Sequence, residues 1–132
     1  MNSSALDAWA PQARATLRIV TALLFIEHGT QKLFGFPASE FSPAFLSLPW
    51  IAGVLEVVGG LMVLVGFFTR PAAFVLSGLM AVAYWMAHAP QSIFPVVNGG
   101  DGAILFCFVF LYLVFAGPGA WSVDGGRAAR SA

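Results

Sequence analysis

Within residues 27–32 the chain carries Glu27, His28, Gln31 and Lys32 in an otherwise apolar stretch, and Glu56, His88, Asn98 and Asp101 follow in or beside later stretches of the same kind. Carboxylate, imidazole and ammonium groups in one place can pair as ions, relay protons, or hold the oxygens of a ligand. At about 100° per residue the first four occupy one helical arc of roughly 140°. Glu56 shares its sector with Gly53, Gly59 and Gly60, small residues that let a neighbouring backbone come close, so it is expected to point inward. His88 closes the third apolar stretch, and Asn98 and Asp101 open the fourth, where they would form a rim. A lone histidine is most often a hydrogen-bonded packing residue, and a haem held between His28 and His88 is the weaker reading.

The elements that must position these groups follow from composition. The chain has 132 residues, 59% hydrophobic and 9% charged, against about 25% charged in ordinary soluble domains. A fold this small could not hide so much apolar surface from water. Four apolar blocks, 15–35, 50–68, 71–89 and 101–117, are separated by proline and glycine. Each comes close to the ~20 residues that cross a bilayer. The expected fold is therefore all-α, a single four-helix transmembrane bundle over residues 1–132 with antiparallel neighbours. The Thr69–Arg70 connection is short enough to make blocks two and three a hairpin. The first block reads as a retained span, because Glu27 and His28 interrupt it and no convincing cleavage site follows.

Arg14, Arg18, Arg70, Arg127 and Arg130 flank one side of the blocks, and Lys32 lies at the other. Lysine and arginine are retained on the cytoplasmic side, which places both termini there. Trp50, Trp85 and Trp121 sit near block ends, where indoles anchor at an interface. Zero net charge offers no footprint for nucleic acid. The single cysteine, Cys107, excludes an intrachain disulfide and a cysteine metal cluster, so redox chemistry needs a borrowed cofactor or another subunit.

With antiparallel helices side by side, the ionisable groups reach similar depth in the outer half of the bundle. A pocket open to that side is expected, covered by the segment carrying Phe41, Phe45, Leu46 and Leu48, with Lys32 pairing to Glu56 or Glu27. Charged groups in a span are costly and default to function, but a salt bridge that only locks helices would look the same.

The stretch RIVTALLFIEHGTQKLF, Arg18 to Phe34, resembles the first helix of the DoxX family. GVLEVVGGLMVLVGFFTRPAA, Gly53 to Ala73, is similar to that family's glutamate-glycine helix and threonine-arginine turn, and GPGAWSVD, Gly117 to Asp124, to its tail. The resemblance implies a small bacterial inner-membrane protein, some relatives of which belong to oxidoreductase complexes that handle thiol or oxidative stress. The leading expectation is thus a membrane subunit that anchors a redox partner and presents quinone to it, with self-association left open. A passive scaffold in which the polar set only fixes packing is the alternative. Small-solute transport has less support, since interrupted helices and inverted repeats are not evident.

Overall fold

α1 (Ser3–Phe34) runs through Pro11 and stops where Gly35 turns left-handed at φ +66°. It starts well ahead of the expected block because residues 3–14 are rich in alanine, a strong helix former, although they are too polar to register as an apolar stretch. These features come from a computed structural model that describes residues 3–131, all-helical in that range.

α2 (Leu48–Val65) begins at Ser47, whose hydroxyl accepts the Trp50 amide, with a proline in the first turn that needs no donor. It ends earlier than expected. Gly66 adopts φ +69° and the Phe67 amide reaches back to the Met62 carbonyl at 2.9 Å, a glycine C-cap. α3 (Thr69–Ala83) follows almost at once and continues as a π-helical turn over Tyr84–His88. A short α4 (Pro95–Asn98), α5 (Asp101–Ala116) and α6 (Val123–Arg130) complete the order. α4 and α6 lie in segments the apolar pattern leaves as connections; α6 hides behind Gly125 and Gly126 and is set by Ser122, which caps the Gly125 amide.

The four long helices pack as two closely contacting pairs, α1 with α2 and α3 with α5, joined by the α2–α3 hairpin. A Cβ at Gly29 would lie 2.7 Å from Val57 Cγ2 and 2.9 Å from the Gly53 carbonyl, so α1 and α2 can touch only because both positions lack side chains. Gly53 and Gly60 face α1, against Lys32 and Ile26, and Gly59 faces Leu76 of α3. The core is small: Phe25, Val63, Ala73, Leu76, Phe110 and Leu113 are fully or almost fully buried. Phe25 joins the two pairs, meeting Phe110 edge-on at 4.8 Å. Around this core, Leu23, Val58, Phe74 and Phe108 are exposed, leaving a broad apolar perimeter that water would not tolerate. Among the described residues, two helices, Leu48–Val65 and Thr69–His88, are long and apolar enough to cross a membrane by length and composition. α5 is shorter, and α1 carries Arg14, Arg18, Glu27 and Lys32 along its length.

At the hairpin end, arginines tie the helix termini together. Arg18 has no exposed surface, and its guanidinium donates to the Val63 and Leu64 carbonyls at 3.0 Å and to Ala120 and Trp121 at 3.2 and 2.8 Å. Arg14 donates to the Ala116 carbonyl, and Arg70 to those of Val114 and Phe115. Apart from Ala120 and Trp121, in the loop before α6, these are last-turn carbonyls of α2 and α5, which have no amide four residues on within their own helix.

Candidate functional site

At the end opposite the hairpin the two helix pairs separate around a cavity of about 710 Å³. α1 contributes His28 and Lys32, α2 Glu56, and the π-helical turn after α3 His88, with Phe106 of α5 behind them. Phe41 and Leu48, from the segment before and at the start of α2, also line it. The cavity wall is otherwise almost wholly apolar. Ile51 and Leu55 of α2, Val82 of α3 and Met86 of the π-helical turn line it while remaining exposed, so it opens sideways between those elements onto the apolar perimeter.

Lys32 forms an ion pair with Glu56 Oε1 across the α1–α2 contact. The Glu56 side chain is 1% exposed, yet its second oxygen, Oε2, has no hydrogen-bond partner among the described residues. A buried carboxylate oxygen in that state is costly unless something donates to it. The π-helical turn ends at His88, and its Nδ1 lies 2.9 Å from the Asn98 carbonyl. A carbonyl can only accept, so Nδ1 carries the hydrogen. Asn98 is itself occupied, donating to the Ser92 carbonyl at 2.8 Å and accepting the Gly100 amide at 2.7 Å. π-Helical turns concentrate at functional sites, because the extra residue re-aims side chains. Here the turn sets the rings of Tyr84 and His88 near parallel, 6.3 Å apart.

The residues singled out from the sequence divide accordingly. His28, Lys32, Glu56 and His88 share one cavity, and His28 meets the Phe106 ring edge-on at 5.7 Å. Glu27 is exposed and lies outside the lining, and Gln31 instead donates to the Pro37 carbonyl at 3.3 Å. Of the expected rim, Asn98 is a buried cap and Asp101 an exposed first residue of α5. Of the covering segment, Phe41 and Leu48 reach the cavity, whereas Phe45 packs on Trp50 at 4.9 Å.

The arginine ties and Asp124 were not singled out for the roles they fill. Asp124 accepts the Phe68 amide at 2.9 Å and the Thr69 amide at 2.8 Å, holding the first turn of α3. Burial acts to raise its pKa, but the Thr69 and Phe68 hydrogen bonds and the Arg127 charge outweigh it and hold the carboxyl below its ordinary value. The only sequence signal for this cluster is the set of motifs Arg18, Thr69–Arg70, Gly117–Gly119 and Ser122–Asp124, which are far apart in the chain and meet in space.

A family model described as DoxX matches residues 13–89. An uncharacterized protein of Haemophilus influenzae is 43% identical, covering 90% of this chain and 93% of its own. Two Escherichia coli inner membrane proteins are also similar: YphA, at 32% identity over 81% of this chain and 84% of its own, and YqjF, at 29% over 81% and 85%. No solved structure matches the chain. Taken with the apolar perimeter and the extent of the family match, these relatives make the chain an integral membrane protein of the DoxX family.

Proposed function

We propose that this chain is a four-span protein of the bacterial inner membrane, a single domain with both termini cytoplasmic, that holds the head group of a quinone-type, lipid-soluble ligand in its outer cavity. It serves there as a membrane subunit of an oxidoreductase or redox-stress complex, presenting the ligand to a partner subunit. α1 and α5 complete the set of spans, since the polar groups of α1 are turned to the hairpin-end ties, to the Glu56 pair or toward the outer end. Arg14, Arg18, Arg70, Arg127 and Arg130 gather at the hairpin end, which the positive-inside rule makes cytoplasmic.

One observation carries the ligand reading: Glu56, paired with Lys32 and with its second oxygen buried and unpartnered among the described residues, lines an apolar cavity large enough for a substituted ring. An acceptor, an ammonium and two imidazoles supply hydrogen bonds and a proton route for a ring whose oxygens change protonation on reduction. Lys32→Met and Glu56→Gln, each compared with the unaltered chain for quinone-dependent electron transfer in membranes, test it. Activity per molecule of membrane-inserted protein falls if the reading is right; unchanged activity per molecule rejects it.

A second reading, a scaffold without a ligand, is favoured by the same ion pair, because Lys32–Glu56 also locks α1 to α2. It predicts that the two substitutions lower abundance and partner co-purification together.

A further inference from the structure

We infer that the hairpin end carries a separate site, in which Arg127 and Arg130 of α6 hold the phosphate of an anionic phospholipid while one of its acyl chains lies along the exposed face of α2. This goes beyond the outer cavity and does not depend on what that cavity binds.

The arginines at this end divide into two groups. The guanidinium groups of Arg14, Arg18 and Arg70 are occupied by main-chain carbonyls. Those of Arg127 and Arg130 are exposed, and neither donates a hydrogen bond nor forms an ion pair among the described residues. Arg127 lies over the Phe67 ring, 5.0 Å from its centre, a contact that places the guanidinium without pairing its charge. Positions 123, 126, 127 and 130 fall within an arc of about 100° on a helix, and Val123, Gly126, Arg127 and Arg130 together line a cavity of about 460 Å³. Asp124, the carboxylate on the same helix, is directed elsewhere, since its two oxygens accept the Phe68 and Thr69 amides.

The donors left for a ligand are those of the two arginines. The first-turn amides of α6 are taken: Asp124 donates to the Gly66 carbonyl at 2.9 Å, Gly125 to the Ser122 hydroxyl and Gly126 to the Ser122 carbonyl, each at 3.1 Å. Paired guanidinium groups match the oxygens of a phosphate, which they can grip with two parallel hydrogen bonds each. The ammonium of a zwitterionic head group would meet two like charges, so a head group of net negative charge is favoured.

The apolar part of the site separates a lipid from a free phosphate. Val65 lines the same cavity and is the last residue of α2. Val58, Leu61 and Val65, each about half exposed, share one face of that helix within an arc of about 60°. This stripe runs from the cavity for about 10 Å towards the middle of the bundle, a track for an acyl chain. Trp121, also in the lining, fixes the level of the head group. Its backbone is left-handed at φ +50° and its carbonyl is held by Arg18 at 2.8 Å, which leaves the indole exposed at the cavity edge. Indoles settle at the depth of lipid head groups, and basic pockets at a helix end bind anionic ones.

The test uses the full chain in mild detergent, titrated with phosphatidylglycerol and with phosphatidylcholine of the same acyl chains, and counts retained lipids by native mass spectrometry. Phosphatidylglycerol is expected to bind at least about tenfold more tightly, the difference one charge-assisted hydrogen bond makes. The preference falls towards unity in the double variant Arg127→Gln, Arg130→Gln. Arg130→Gln alone, which removes no hydrogen bond or ion pair of the fold, is expected to weaken it several-fold while the lipid-free melting temperature stays unchanged, so the loss is not one of folding. Glycerol phosphate in excess should leave the lipid bound. Equal affinity of the unaltered chain for the two lipids, or a full preference kept by both variants, overturns the site. Displacement of the lipid by glycerol phosphate overturns the lipid assignment in favour of a soluble phosphate.

Discussion

Asp124, beyond the last long helix, accepts the Thr69 amide at 2.8 Å and so fastens the start of α3 from 55 positions away in the chain. The carboxyl's depressed pKa makes this contact part of the pH dependence of stability. A group whose pKa is lowered on folding stabilises above the unfolded value, ~3.9 for aspartate, and loses that contribution as pH falls through the folded value. Asp124→Asn keeps an accepting oxygen and loses the charge, so it should lower thermal stability at neutral pH by less than the ~1 kcal/mol that loss of a whole cap typically costs. Its melting temperature in detergent should converge on that of the unaltered chain below about pH 4.

Arg18 is a buried cation whose hydrogen-bond partners among the described residues are main-chain carbonyls of α2 and of the 120–121 segment. Arg18→Met takes a donor from all four carbonyls, although Val63 keeps the Gly66 amide at 3.1 Å, and is expected to cost about 3 kcal/mol or more, read as loss of folded protein from membranes. Arg18→Lys recovers little, because one ammonium cannot span the fan of carbonyls that a planar guanidinium does. Normal abundance of Arg18→Met would show the tie to be dispensable.

Gly29 and Gly78 make a matched contrast. A methyl at Gly29 would press on Val57 and the Gly53 carbonyl, whereas one at Gly78 would meet nothing within 4 Å. Gly29→Ala should therefore part α1 from α2 and cost about 1–3 kcal/mol. Gly78→Ala should leave the melting temperature unchanged or raise it slightly, through helix propensity. Equal effects would contradict the close approach of α1 and α2.

Removing Lys32 leaves the buried Glu56 without its ion partner, and stranding a buried charge commonly costs about 3–5 kcal/mol. The single substitution Lys32→Met should reduce membrane abundance more than the double Lys32→Met, Glu56→Gln, in which no charge is stranded. A double variant as depleted as the sum of the two singles would mean the residues do not interact.

Much of this was legible in the sequence where a physical pattern is local. Proline, glycine and apolar length marked the four long helices, and the clustering of Gly53, Gly59 and Gly60 around Glu56 marked a close-packed face. Polarity in an apolar stretch, together with helical spacing, pointed to His28, Lys32, Glu56 and His88. Adjacent positions are harder to separate: Glu27 and His28 are 100° apart, and only the path of α5, with Phe106 against His28, sends one into the cavity and leaves the other outside. The hairpin-end ties were not legible as contacts. Arg14, Arg18 and Arg70 carry a topological signal by charge alone, and their use as carbonyl caps depends on helix ends brought together by folding. α6 and the early start of α1 were missed because alanine, glycine and charged residues give no apolar period.

The distribution of fastenings gives the bundle the mechanics of a sprung peg. Its jaws are α2 and α3, its pivot the Thr69 turn with the Arg18 and Asp124 knots, and its bite is lined by aliphatic residues that slide without breaking any bond. Seen from that pivot, His88 lies at the far end of one jaw and Glu56 midway along the other, where Lys32 pins it to α1. A guest seated between the jaws would act as the clip's closing pin.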